Sequence, residues 1–119
     1  MKITRIFTGS DNQSHFEDVD VELKDLGSHG QISEPWAANA VMFRAVDGAY
    51  ELDFHTAPRR QLVVTLVGSV DIEIGDGTVR TLGPGSILLA EDTTGQGHIS
   101  RAVNGEARQC LFIPLGEQT

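Results

Sequence analysis

The chain has 119 residues and a formal charge of −8, with 17 Asp and Glu against nine Lys and Arg. That length suits one domain with a single modest core. So acidic a surface, with no basic run longer than Arg59-Arg60, argues against nucleic acid and anionic membranes as partners. Thirteen glycines and only nine Lys and Arg point away from a helical bundle, and few aromatics leave Val, Ile and Leu to fill the core.

The first elements expected are strands over Lys2 to Phe7 and Val19 to Leu23. From Gly27 to Ala40 the chain reads as an irregular arm. It carries Trp36 as a plug for a barrel edge or a subunit contact, and at most one helical turn around Glu34 to Ala38. His15 and His29 have no ligand-type neighbours and read as surface residues. Residues 1–40 thus form N-terminal strands and an arm, and residues 41–114 the body of one domain covering 1–119.

In that body, three dipeptides of the strongest hairpin type, Asp47-Gly48, Asp76-Gly77 and Asn104-Gly105, recur about every 28 residues. They separate VMFRAV from AYELDF, VDIEI from TVRTL, and HISRAV from ARQCLFI. Val70 to Ile74 alternates apolar with acidic, as a half-buried strand does. Tyr50, Leu52 and Phe54 alternate with Glu51, Asp53 and His55, so in a regular strand Glu51 and Asp53 share the face of His55, as acidic ligands or general bases. Leu62 to Val67 is apolar on both faces, as a central strand is, and at six residues falls far short of the roughly 20 needed to span a bilayer. Gly83-Pro84-Gly85 makes a corner before a strand from Ser86 to Ala90. The domain is all-β.

One cysteine, Cys110, cannot form an internal disulfide and lies in the apolar run CLFIP, so it reads as a buried small hydrophobe. With no apolar N-terminal stretch of signal-peptide length, a cytoplasmic protein is the simplest expectation.

From residue 55 to 98 the sequence resembles a cupin. The family's first motif is H-x-H, three or four residues, E, six residues, G. Here His55-Thr56-Ala57 is followed at that spacing by Gln61 and Gly68, so one His is Ala57 and the Glu is Gln61. The second motif begins at Gly85, has Glu91 where proline is usual, reaches His98 two residues late, and ends on Ala102 instead of Asn. The resemblance implies a jelly-roll barrel of two antiparallel sheets, a small-molecule pocket inside it, and a homodimer in which N-terminal strands extend the partner's sheet. A bend just before the first motif, common in such strands, would make a bulge at Phe54 that turns His55 inward and leaves Glu51 and Asp53 in water.

It also implies a divalent metal site (Fe, Ni, Zn or Mn), here reduced to His55, Gln61 and His98. Two imidazoles and a neutral amide make a poorer site than three His and a Glu.

Two functional expectations follow. The first is an enzyme acting on a small organic molecule by metal-assisted or acid–base chemistry, of isomerase, lyase, cyclase or oxygenase type. His55 and His98 would be ligands or acid–base groups, with Glu91 as a further base. Arg59 and Gln61, on one face by strand parity, would orient substrate, and Thr65 would face the cavity. Asp92 is expected to close the turn through side-chain-to-backbone bonds. The second is a non-catalytic binding protein that has lost its metal site.

Overall fold

A computed structural model describes residues 1–118. The N-terminal third supplies β1 (Lys2–Thr8), β2 (Ser14–Asp20), β3 (Lys24–Asp25) and β4 (Gln31–Ile32). The body supplies β5 (Met42–Val46), β6 (Glu51–His55), β7 (Gln61–Val67), β8 (Val70–Glu73), β9 (Val79–Leu82), β10 (Ile87–Glu91), β11 (His98–Ala102) and β12 (Arg108–Pro114). The only helical element among the described residues is a 3₁₀ turn, Gly27–His29, so none is long and apolar enough to cross a membrane.

Six strands form one sheet in the order β2-β1-β10-β7-β12-β5, four form a second in the order β6-β11-β8-β9, and β3-β4 stand apart. From β5 onward the chain passes repeatedly between the two large sheets, as a double-sheet jelly roll requires. Neither sheet closes on itself. One pairing departs from the antiparallel expectation: β1 runs parallel to β10.

The sheets share a core between them. Ile6, Val63, Leu88 and Cys110 come from the larger sheet, and Val70, Ile72 and Leu82 from the smaller. Period-2 alternation places them: Gln61, Val63 and Thr65 of β7 point inward, while Leu62 and Val64 are half-buried on the outer face. There Trp36 packs with Leu62 and Ile87 against Ile3, Leu89 and Leu115, at the end of the sheet opposite β5.

Several sequence expectations need correcting. The second strand is Ser14–Asp20, because the chain already reverses at Gly9 to Gln13, where Asn12 takes a positive φ of 64°. The short turn lies at Gly27–His29 instead of Glu34 to Ala38. Of the three hairpin dipeptides only Asp76-Gly77 joins paired strands, β8 and β9. Asn104-Gly105 has positive φ at both residues, yet it leads from β11 in one sheet to β12 in the other. Asp47-Gly48 likewise connects β5 to β6 across the sheets without positive φ. Its glycine is needed for close approach, since a Cβ on Gly48 would lie 1.8 Å from the carbonyl oxygen of Gly105. A turn dipeptide specifies a reversal; the partner of each strand is chosen by tertiary packing.

Candidate functional site

Between the sheets lies a cavity of about 330 Å³, at the lower end of the range for small-molecule sites. Its apolar walls come from Val63, Leu88 and Phe112 on one sheet and Val70 and Ile72 on the other. Its polar lining comes from His55, His98, Ser100, Gln61, Arg44 and Arg108.

The two histidines meet through a bulge. On β11, His98 stands opposite His55 and Ser100 opposite Leu52, so β6 spends one extra residue between these pairs. Asp53 and Phe54 are exposed there, the amide of Phe54 donates to Asp53 Oδ1 at 2.8 Å, and side-chain parity flips. Tyr50 and Leu52 therefore line the cavity together with His55. The ring centroids of His55 and His98 are 4.5 Å apart, with planes inclined at 58°. Gly97 permits this junction: it has a φ of 77°, and a Cβ there would lie 1.9 Å from the carbonyl oxygen of His55.

Each imidazole has its Nδ1 committed. His55 Nδ1–H donates to the carbonyl of Asp53 at 2.8 Å. His98 Nδ1–H donates to Asp92 Oδ2 at 2.5 Å, and Ser14 Oγ donates to the same oxygen at 2.7 Å. In a neutral ring with Nδ1 as the donor, Nε2 is the nitrogen left without a proton. Burial pushes the His55 imidazole below its usual value, against the Asp53 carbonyl, which favours the charged form; the neighbouring His98 lowers it further.

Asp92 is fully buried, at 0% exposure, and its backbone carbonyl accepts from the amide of Ala57 at 3.0 Å. Its Oδ1 is the one buried side-chain polar atom among the described residues without a hydrogen-bond partner. An ionisable group held dry beside an imidazole, with an unsatisfied oxygen, is costly to maintain and characteristic of functional positions.

Other sequence candidates fall elsewhere. Glu91 points to the outer side, gripped by Arg5 Nε at 2.5 Å and by Arg60 Nε, and does not line the cavity. Burial would raise its pKa, but the bonds from Arg60 and Arg5 outweigh that and hold the carboxyl below its usual range. Glu91 is thus an ion-paired anchor, and its neighbour Asp92 takes the interior position expected to be a mere turn residue. Arg59 is exposed and donates to Gln61 Oε1 at 3.2 Å, outside the cavity lining. Gln61 does line it, and Thr65 is buried facing inward, accepting from Arg108. His15 is on the surface beside Asp11 and His29 is exposed, as expected.

As a metal site the donor set falls short. Beyond the two imidazoles, no third His, Cys, Asp or Glu among the described residues joins a cluster. The Gln61 amide oxygen already accepts from the Arg59 cation. The residues present do not fit a resident metal ion.

Sequence reasoning missed Ser14, Arg44, Tyr50, Arg108 and the inward role of Asp92. Arg108 was legible in one respect: it shares parity with Cys110 in a strand ending in the apolar run CLFIP. Ser14 had no signal, because its place depends on the misplaced second strand.

No protein-family model matches the chain, and no curated protein sequence matches it. Among solved structures it is similar to the conserved SPY1581 protein of unknown function from Streptococcus pyogenes. The likeness has a TM-score of 0.51 at 20% identity, over 75% of this chain and 72% of that one. It is also similar to protein NMB1881 from Neisseria meningitidis, with a TM-score of 0.49 at 18% identity over 71% and 89% of the two chains. The first likeness supports the fold and nothing further.

Proposed function

We propose that this chain is a degenerate cupin that binds a small organic molecule in its inter-sheet cavity and acts on it by acid–base chemistry at His98. The observation that carries the reading is the His98–Asp92 pair. Asp92 fixes the tautomer, so that Nε2 presents a lone pair to the cavity, and stabilises the imidazolium formed when Nε2 takes a proton. Ser14 holds Asp92 in place. His55, kept neutral by burial, stands beside His98 as a second acceptor or hydrogen-bonding group. Proton transfer of this kind fits an isomerase, lyase or cyclase.

The test is incubation of the protein with a small-molecule extract in D₂O, read by mass spectrometry. Deuterium incorporation or new products with the wild type, lost in His98→Ala while the melt is retained, are the expected result. A ligand retained unchanged by both proteins would support the non-catalytic reading. No retained ligand and no exchange would contradict both.

A metal-assisted version has in its favour two imidazoles on neighbouring strands, both lining the cavity. Its mark would be near-stoichiometric metal in protein purified without a histidine tag.

A cytoplasmic location belongs to the same proposal, supported by the lone buried Cys110. So does a homodimer, through the outer end of the larger sheet. Edge strand β5 carries Phe43 at 85% exposure, and Leu66 of β7 is also exposed. The N-terminal strands are taken up in this chain's own sheet, β1 against β10. A Phe43→Glu variant that sediments as a monomer where the wild type is a dimer would support this interface.

A further inference from the structure

The cavity carries the opposite charge character to the chain. Among the described residues none of the 17 Asp and Glu lines it, whereas two of the nine basic residues do, Arg44 and Arg108. Acids offer themselves as partners almost everywhere else: Arg5, Arg60, Arg80, Arg101 and Lys24 all form ion pairs. Arg108 is only 5% exposed and has no carboxylate partner among the described residues. Burying an unpaired guanidinium is costly, and burial presses its pKa down. A fold that keeps such a group inside a cavity leaves its counter-charge to come from outside.

The hydrogen bonds of Arg108 show which part of it is open. Nη2 donates to Thr65 Oγ1 at 2.8 Å and Nε to the same oxygen at 3.3 Å, so Thr65 occupies the side edge of the guanidinium. Nη1 makes no hydrogen bond among the described residues, and the end-on fork of Nη1 and Nη2 remains. Two parallel N–H donors at that edge match the two oxygens of a carboxylate. Arg44 lies opposite Cys110 in the β5–β12 register, two residues along β12 from Arg108 and on the same face. Its guanidinium carbon is 4.9 Å from the ring centre of Tyr50 and 5.2 Å from that of Phe112, contacts that hold it without neutralising it. Val63, Val70, Ile72 and Leu88 supply apolar wall beside them.

We infer that the cavity takes a small organic carboxylate with a compact apolar body, its carboxylate seated on the end-on fork of Arg108 beside Arg44. This rests on the reading of the cavity as a small-molecule site, and names the class of molecule presented to His98.

Calorimetric titration of the full chain with benzoate and with benzamide, its neutral isostere, tests the inference. Benzoate is expected to bind about ten- to a hundredfold tighter than benzamide. Arg108→Met is expected to remove the difference between the probes, bringing benzoate down to the benzamide level. Should Arg108→Met fail to fold, Arg108→Lys keeps the charge without the fork and is expected to lose about tenfold for benzoate alone. Equal binding of the two probes would overturn the anion inference and leave the cavity reading standing. So would benzoate binding that is indifferent to a folded Arg108 variant. Failure of both probes to bind would overturn the inference and the cavity reading together.

Discussion

Glu91 ends β10 and Asp92 follows it directly, yet the two acids live in different chemical worlds. Glu91 faces out, partly exposed, and two arginines neutralise it. Asp92 faces in, fully buried, with a serine hydroxyl and an imidazole as its side-chain partners and one oxygen unpaired. Composition and spacing are the same for both; strand parity alone separates an ion-paired anchor from the orienting half of an acid–base pair. A carboxylate's worth as a site residue therefore depends on which side of the sheet it leaves and what waits there.

The largest break in this comparison comes from deleting the interior acid. Asp92→Ala strands the Ser14 hydroxyl and His98 Nδ1–H in a dry site, and is expected to cost about 2–4 kcal/mol in a denaturant melt. Glu91→Gln removes a partly exposed ion triad, and about 0.5–1 kcal/mol is expected from the same measurement. A Glu91 effect equal to that of Asp92 would erase the distinction.

Acid sharpens the comparison further. The folded pKa of Glu91 lies below its ordinary 4.5, so its stabilisation is present above pH 4.5 and is lost as pH falls through the folded value. The folded pKa of His55 lies below its ordinary 6.5, so stability is full above pH 6.5 and declines as pH falls through the folded value, where the half-buried ring must charge. His55→Asn is expected to flatten the upper part of the acid decline and Glu91→Gln the lower part, each read by melts across pH. The smallest effect expected is none: a chelator leaves the melt unchanged, because the site offers two imidazoles and an engaged amide. A chelator-sensitive melt would instead favour the metal-assisted reading.

Much of the fold was legible in the sequence because it rests on local rules. An apolar run located β7, period-2 alternation located β8, and strand parity put Thr65 on the face of Gln61. The bulge before His55 was legible only through the cupin resemblance, whose strands bend just before the first motif. What escaped depends on distant pairing: that β11 and β12 part company after a well-formed Asn-Gly turn, that β1 lies parallel to β10, and that Ser14 reaches Asp92 78 residues away. The site divided along the same line. His55, His98 and Gln61 were found from motif spacing, whereas Asp92 and Arg108 become visible only once facing directions are known. Glu91 was chosen over Asp92 because nothing in a two-residue string tells which one leaves the strand inward.

The pairing of Asp92 with His98 is tested most directly by long-range ¹H–¹⁵N NMR of the histidine rings. The expected result is His98 as the Nδ1–H tautomer with a bare Nε2, its Nδ1 proton far downfield and moved by Asp92→Asn but not by Glu91→Gln. A His98 ring protonated on Nε2 alone, or one indifferent to Asp92, would contradict the acid–base site.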